Sequence, residues 1–147
     1  MTGVSPLQNF HKKGLFGDHH KKNEKDLIVI SEIKEISIFQ IVKYKKSKLN
    51  LLQTYIDDLK FSERNSKVEN NENTRILWNG PRNWIVVSKK NNIIDDIKKV
   101  CSSEDFAITD ISHSRAIIQL KGSQAKEVLK KGCPINFNEI KKNYCLA

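Results

Sequence analysis

The sequence of 147 residues predicts one domain in which short strands alternate with helices. Two stretches carry this prediction. Residues 75–87 contain two apolar runs around an Asn-Gly-Pro turn, which is the pattern of a β-hairpin. Residues 109–135 compress a strand, a polar turn, a second strand and a capped helix into a single short stretch.

The composition narrows the possible classes of function. The net charge of +9 suggests a nucleic-acid partner, but the excess is spread along the chain and comes from 22 lysines against four arginines. Nucleic acid is therefore not the expected partner. No apolar run is long enough to span a membrane, and the N-terminus lacks the pattern of a secretory signal. The three cysteines are far apart in sequence, which predicts reduced thiols in a cytoplasmic protein.

The first part of the chain divides into an arm and the start of a domain. Residues 1–26 are interpreted as a flexible basic N-terminal arm, and residues 27–147 as a single domain. The arm holds three of the four histidines, but no cysteine or paired carboxylate completes a metal-ligand set. Residues 27–44 are rich in Ile and Val and predict one long strand, or two joined by a bulge near Lys34 and Glu35.

Residues 47–59 are predicted to form a helix. Ser47 can cap it, and leucine and isoleucine recur at helical spacing along one face. Asp57 and Asp58 fall at its end, where neighbouring side chains diverge, so a catalytic carboxylate pair is not predicted. The polar residues 62–73 are read as a loop.

Trp78 and Trp84 flank the turn of the predicted hairpin and are expected to pack near each other. Gly80 tolerates positive φ in this turn, and Pro81 fixes the chain just beyond it. The two tryptophans are expected to pack in the core or at an interface, and this role is favoured over binding a cofactor.

A further helix is predicted from Asn92 to about residue 102. Its apolar face includes Cys101. No histidine or basic residue is placed to ionise this thiol, so we interpret it as a core residue and not a nucleophile.

The polar turn of residues 109–135 most closely suggests an active site. Asp110, Ser112 and His113 lie side by side, but residues so close in a tight turn cannot adopt the geometry of a catalytic triad. The side chains of Asp110 and Ser112 are expected to bond nearby backbone N–H groups and so build the turn.

A returning strand over residues 115–120 and a helix are predicted to complete this stretch. Gly122 releases the strand, and Ser123 caps the helix. Gly132 is expected to take the left-handed position at the helix end, and Pro134 prevents continuation.

Together these motifs resemble the gamma subunit of heterotetrameric sarcosine oxidase. The matching features are Gly80-Pro81 with Trp84, the turn of Asp110, Ser112, His113, Ser114 and Arg115, Gly122 with Ala125, and the run Gly132-Cys133-Pro134-Ile135. Ser5-Pro6-Leu7 resembles the family's N-terminal motif. The turn with its strand and helix is shared more distantly with the glycine-cleavage T-protein. The similarity runs from about residue 27 to 147 and is dense over 77–135.

The resemblance implies an α+β fold like that of the T-protein, with helices packed on an antiparallel sheet. It implies alpha, beta and delta subunits as partners, in a complex that oxidises sarcosine to glycine and passes the one-carbon unit to tetrahydrofolate. Those partners would hold FAD, FMN, NAD, tetrahydrofolate and zinc. This chain would hold no cofactor, metal or catalytic residue, and its structural or interface candidates are Trp78, Gly80, Pro81, Trp84, Asp110, Ser112, His113, Arg115, Gly122, Gly132 and Pro134.

The chain also departs from the family. Arg82 stands at a position that is often acidic, so no acidic role transfers there. Family members usually continue for some tens of residues beyond Ala147, so we expect that C-terminal strands are missing and that the chain is truncated or folds only against partners. Two alternatives stay open: the equivalent subunit of another N-methyl amino acid dehydrogenase, and a stand-alone folate- or RNA-binding module.

Overall fold

The computed structural model describes residues 5–23 and 26–146, and it contains nine strands and two α-helices within those ranges. The mixed architecture predicted from the sequence is confirmed. Residues 1–4 and 24–25 of the predicted arm, and residue 147, lie outside the described residues. In chain order the elements are β1 (Val29–Ile33), β2 (Ser37–Lys43), β3 (Tyr55–Ile56), β4 (Leu59–Lys60), β5 (Val68–Asn70), β6 (Thr74–Gly80), β7 (Asn83–Ser88), α1 (Ile93–Val100), β8 (Phe106–Asp110), β9 (Ile117–Lys121) and α2 (Ala125–Gly132).

A five-stranded antiparallel sheet with the order β5-β6-β7-β2-β8 forms the centre of the protein. Apolar side chains alternate along its strands and point to one face, where α1 and the β3–β4 hairpin cover them. Neighbouring strands place apolar partners on that face, as Ile41 does opposite Trp84. The buried core consists of Phe39, Ile41, Leu51, Ile56, Phe61, Ile76, Trp84, Val86, Ile93, Ile97, Cys101 and Phe106.

A second, smaller sheet continues the first beyond a kink. Strand β1 leads into β2, β8 leads towards β9, and β1 pairs antiparallel with β9 just as β2 pairs with β8. The strands are interrupted at the same level of the two neighbouring segments, over residues 34–36 between β1 and β2 and over residues 111–116 between β8 and β9. Glu35 has a φ of +56° there, so the predicted pair of strands joined near Lys34 and Glu35 is confirmed.

The predicted returning strand is wrong in its pairing. Strand β9 does not fold back on β8 but continues past it and pairs with β1, and it begins at Ile117 instead of residue 115. The reason lies in the turn, where the backbone N–H of Ile111 donates to the carbonyl of Ile38 on β2 at 2.9 Å. This bond holds the turn along β2, so the chain passes the kink without reversing.

The helix predicted over residues 47–59 is also wrong. Only the 3₁₀ turn Leu51–Gln53 is helical, and Asn50 caps it by accepting from the N–H of Leu52 at 3.0 Å. Asp57 and Asp58 then adopt φ values of +51° and +62° and turn β3 into β4. Burial alternates before this turn, where Thr54 and Ile56 are buried and Tyr55 between them is exposed, so strand pairing prevails over the helical spacing of the leucines.

The region read as a polar loop contains an edge strand. Strand β5 pairs with β6, and Val68 on β5 is buried. The C-terminal part of the chain lies along the same edge, because the N–H of Cys145 donates to the carbonyl of Ser66 at 2.7 Å. The prediction of a loop without apolar anchors over residues 62–73 is therefore wrong for its second half.

The predicted hairpin is confirmed as β6 and β7. Trp78 and Trp84 are directly opposite each other in its register. Trp84 is buried, its indole Nε1–H donates to the carbonyl of Ser62 at 2.8 Å, and its ring makes an edge contact with Phe61. Gly80 has a φ of +142° at the turn, a conformation that side-chain-bearing residues rarely adopt.

The helix predicted near residues 92–102 is confirmed as α1, which follows Asn92 and ends at Val100. Ile93 and Ile97 bury one face of it in the core. Cys101 lies against that core, and burial raises the pKa of its thiol to about 12, as expected for a core residue and not for a nucleophile.

Helix α2 forms where it is predicted, but both of its predicted caps are wrong. Gln124 and not Ser123 precedes the helix, and its side chain makes no capping hydrogen bond. Gly132 is the last helical residue, and the N–H of Cys133 closes the helix by donating to Leu129. No residue of α2 is buried, so the helix lies on the surface.

The backbone conformation and the close packing at position 122 require glycine. Its φ is +134°, and a Cβ at this position would lie 2.7 Å from the carbonyl oxygen of Leu27. Any side chain would therefore strain the backbone and push the strand end away from the residues that lead into β1.

We predict that Gly122→Ala destabilises the protein by about 1–3 kcal/mol, because both the positive φ and the contact with Leu27 oppose the added methyl group. Gly132→Ala is the matched control. Its site is helical and open, so the same methyl group should stabilise the protein by about 0.5 kcal/mol. Urea unfolding of both variants checks this, and equal midpoints would contradict it.

Candidate functional site

The turn between β8 and β9 lies at the kink and contains the residues that suggest an active site. The backbone N–H of Ile38 donates to Ser112 Oγ at 2.9 Å, which ties the turn to the start of β2. Ser112 Oγ lies 2.6 Å from Asp110 Oδ1, to which it donates, and the Ser112 N–H donates to the same oxygen at 2.9 Å. The expected bonding to a nearby backbone N–H is confirmed for Asp110, whereas Ser112 bonds a backbone N–H that is 74 residues away in the chain.

The electrostatics of Asp110 follow from these bonds. The hydroxyl and the backbone N–H of Ser112 lower the pKa of the carboxyl group, and the nearby His113 lowers it further. The carboxylate is thus held charged as an acceptor for Ser112. Because the hydroxyl proton of Ser112 points to Asp110, the arrangement differs from a triad, in which a histidine lies between serine and carboxylate.

His113 and Arg115 are exposed, and the structure records no hydrogen bond or ion pair from either side chain to another described residue. They line an open groove of about 990 Å³ at the kink, together with Ser5, Pro6, Lys34 and Lys89. The hydroxyl of Ser112 and the carboxylate of Asp110 are therefore engaged in bonds within the fold, while the side chains of His113 and Arg115 face solvent.

A second polar cluster surrounds Asp57. The Lys90 ammonium group donates to Asp57 Oδ1 at 2.5 Å, and Thr74 Oγ1 donates to Asp57 Oδ2 at 2.6 Å. Asn71 Nδ2 contacts the same oxygen at 3.1 Å, and the Thr74 hydroxyl is 2.8 Å from that of Ser88 within the core. The cluster joins the β3–β4 turn to β6 and to the residues that follow β7.

These contacts make Asp57 and Lys90 an ion pair that stabilises the fold. Lys90, Thr74 and Asn71 lower the pKa of the Asp57 carboxyl group, with the hydrogen bond from Lys90 as the largest cause. The same hydrogen bond raises the pKa of Lys90. Sequence reasoning missed this cluster because its members are far apart in the chain. The sequence offers one indication of the turn in this cluster. Asp57-Asp58 lies between the pairs Tyr55-Ile56 and Leu59-Lys60, and aspartate tolerates positive φ.

The segment before β1 is attached through Glu32. Ser5 Oγ donates to Glu32 Oε1, and His11 Nε2 lies 2.6 Å from Glu32 Oε2. The Glu32 side chain is almost fully buried beneath these partners. The hydrogen bond from Ser5, followed by that from His11, lowers the pKa of Glu32. Both carboxylate oxygens are thus used to hold the N-terminal segment on β1.

The residues predicted as structural or interface candidates lie in three separate places. Trp78, Trp84, Gly80 and Pro81 belong to the β6–β7 hairpin, and the turn residues 110–115 lie at the kink. Gly122, Gly132 and Pro134 lie at the two ends of α2. The structure joins members within each group and does not gather the groups into one pocket.

The described part of the chain offers few other groups that could do chemistry. No three His, Cys, Asp or Glu side chains among residues 5–23 and 26–146 are placed to hold a metal ion. Cys101, Cys133 and Cys145 are all unpaired, and Cys145 Sγ lies 3.3 Å from the carbonyl oxygen of Trp78. Neither α1 nor α2 has the length and apolar content needed to cross a membrane, nor does any other helix in these two ranges.

We predict that Asp57→Asn destabilises the protein by about 1–2 kcal/mol, because it removes the charge from a largely buried acceptor of three hydrogen bonds. Asp58→Asn is the control, since Asp58 also has positive φ but is exposed, and asparagine suits that conformation. Urea unfolding of the two variants measures the difference, and equal losses would contradict the role of the cluster.

The same pair predicts a pH dependence. The lowered pKa of Asp57 contributes stability that is fully present above its ordinary value of 3.8. That contribution is lost as the pH falls below this value and through the lowered pKa of the folded state. The Asp57→Asn protein should therefore lose less stability than the parent below pH 3.8, and parallel curves would refute the prediction.

Comparison with known proteins gives a consistent family of relatives. No protein-family model matches the chain. The sarcosine oxidase subunit gamma of Corynebacterium sp. strain U-96 is 30% identical over 66 residues, which is 44% of this chain and 32% of the relative. The protein of the same name from Arthrobacter sp. is 26% identical over 68 residues, or 46% of this chain and 34% of the relative. The match thus spans about a third of the length of these curated relatives.

A solved structure extends the likeness over more of the chain. A chain of the heterotetrameric sarcosine oxidase from Corynebacterium sp. U-96, in complex with pyrrole 2-carboxylate, matches with a TM-score of 0.68 and 19% sequence identity. The match covers 78% of this chain and 60% of the other. The resemblance to sarcosine oxidase gamma subunits is thereby confirmed by sequence over part of the chain, and most of the chain shares its fold with a chain of that enzyme.

Proposed function

We propose that the chain is the gamma subunit of a cytoplasmic, sarcosine oxidase-type heterotetramer and that its role in the complex is structural. The observation that carries the proposal is the agreement of two measures: sequence similarity to gamma subunits, and a shared fold with a chain of the assembled enzyme. We also assign the domain of residues 27–147 to the α+β fold of the T-protein, with residues 1–26 as its arm.

In this proposal the chemistry takes place in the partners. The alpha and beta subunits would hold FAD, FMN, NAD and tetrahydrofolate, and the delta subunit would hold zinc. The complex would oxidise sarcosine to glycine and transfer the one-carbon unit to tetrahydrofolate.

The geometry of this chain supports a structural role. Ser112, Asp110 and Asp57 could do nucleophilic or acid–base chemistry, but their side chains are engaged in hydrogen bonds that hold the fold. The Ser112 hydroxyl and the Asp110 carboxylate fasten the kink, and Asp57 forms an ion pair with Lys90. The Cys101 thiol is buried with a raised pKa. The features that are left for function are surfaces, which suits a subunit that holds others in place.

Co-expression with alpha, beta and delta subunits tests the proposal. A tag on this chain should recover a yellow complex that produces peroxide when sarcosine is added, since flavin in a partner gives the colour. A yellow, active complex that forms without this chain would refute the proposal. Activity with another N-methyl amino acid in place of sarcosine would identify the complex as a related dehydrogenase. Folate or RNA binding by the isolated chain, with a steep salt dependence for RNA, would favour a stand-alone module.

His113→Ala tests the claim that the chain is not catalytic. Because His113 lies at the surface of the kink, we expect the variant to lower the yield of assembled complex while turnover per assembled complex stays within about twofold of the parent. Arg75→Ala is a control at an exposed position on β6, within the central sheet. A fully assembled His113→Ala complex without turnover would show that the residue takes part in chemistry.

A further inference from the structure

An apolar groove of about 750 Å³ lies beside the kink, on the side away from the core. Its walls are β1, β9, α2 and the N-terminal segment that precedes β1. Several large apolar side chains in it are strongly exposed: Phe10 by 79%, Phe16 by 69% and Ile30 by 66%. Leu15, Ile118 and Val128 line the same groove and are also exposed. A continuous patch of this kind is typical of a protein–protein contact.

The elements that form the groove are poorly supported by the rest of the protein. The β1–β9 sheet has two strands, and a two-stranded sheet has little stability of its own in water. Helix α2 is amphipathic, with Ala125, Val128 and Leu129 at helical spacing, yet none of its residues is buried. In the β1–β9 sheet and in α2, apolar side chains are therefore left without the packing partners that usually bury them.

The strand register places three apolar side chains of the ribbon on one face, together with Glu32. Ile30 lies opposite Leu120, and Glu32 lies opposite Ile118, so these four side chains share a face. Glu32 binds Ser5 and His11 on that face, which fixes the N-terminal segment as one wall of the groove. The groove is thus a recess, and hydrogen bonds to Glu32 fix the N-terminal segment that forms one of its walls.

The elements around the groove, which form its rim, carry a net positive charge. The described residues 5–23, 26–33 and 117–131 contain eight lysines and four acidic residues. Asp18 pairs with Lys22 at 3.1 Å, Glu127 pairs with Lys130 at 2.7 Å, and Glu32 binds His11. The charged residues that line the groove itself are Lys12, Asp18, Lys22, Asp26 and Glu32. The excess of four lysines therefore lies in the elements around the apolar floor, and it favours a partner with the opposite charge.

We infer that this groove is the docking surface for an acidic face of a partner subunit, one that presents an apolar ridge bordered by aspartate and glutamate. The inference rests on the proposed function, because it identifies where this chain meets the complex. A second copy of the chain would bring two lysine-rich rims together, and like charges oppose that contact. A lipid surface binds the outward apolar face of a helix, whereas this patch is a recess.

Two variants of the co-expressed chain test the groove. Ile30→Asp with Val128→Asp places charge on its exposed apolar floor, and Lys126→Glu with Lys131→Glu reverses two exposed lysines of α2, the helix that forms one wall. Both should reduce the flavin subunit recovered on the tagged chain, the apolar variant by at least about tenfold. Recovery of the parent complex should also fall as salt is raised, because rim charges are screened.

Matched controls separate docking from folding. Leu52→Asp introduces the same charge at a position that is 67% exposed, on the 3₁₀ turn and outside the groove lining. Lys45→Glu with Lys46→Glu reverses two exposed lysines just beyond the far end of β2. Both controls should recover the flavin subunit as the parent does.

The outcomes distinguish the two levels of the proposal. A parent chain that recovers no flavin subunit would overturn the proposed function and this inference with it. A parent chain that assembles, together with groove variants that assemble equally well, would overturn the groove alone. The same holds if the groove variants abolish a homodimer, or abolish sedimentation with phosphatidylserine vesicles, while assembly persists.

Discussion

The hydrogen bonds of Ser112 at the kink are the constraint on which the rest of the structure depends. Ser112 Oγ accepts from the N–H of Ile38 and donates to Asp110, so one hydroxyl joins the end of β8 to the start of β2. Because the turn is held along β2, β9 continues beside β1 and does not return along β8. Together with the bond from the Ile111 N–H to the carbonyl of Ile38, this connection marks the boundary between a sheet with a core and a ribbon without one.

The two sides of the kink differ in how well they are closed. The five-stranded sheet is covered by α1 and the β3–β4 hairpin, and the Asp57–Lys90 ion pair ties that hairpin to β6 and β7. The ribbon of β1 and β9 has α2 and the N-terminal segment beside it, yet Ile30, Ile118 and Val128 stay exposed. The core side explains why the chain folds, and the open side suggests why it would need a partner.

Local patterns predicted the parts of the fold that depend on local chemistry. The hairpin around Gly80 and the helix with Ile93 and Ile97 follow from turn residues and periodicity, and both are present. The pairing of β9 with β1 could not be predicted, since it depends on a bond between residues 38 and 112. The helix expected near Asp57 failed for the same reason, because partners distant in sequence stabilise its turn. The polar turn was recognised, but the apolar groove needs four separate parts of the chain and has no local signal.

Hydrogen exchange of this chain, alone and in the assembled complex, tests the account most directly. Amide groups in β2, β6 and β7 should be protected in both samples, because the core covers these strands. Those in β1, β9 and α2 should exchange quickly in the isolated chain and become protected on assembly, when a partner covers the groove. Equal protection of these three elements in the two samples would contradict the account.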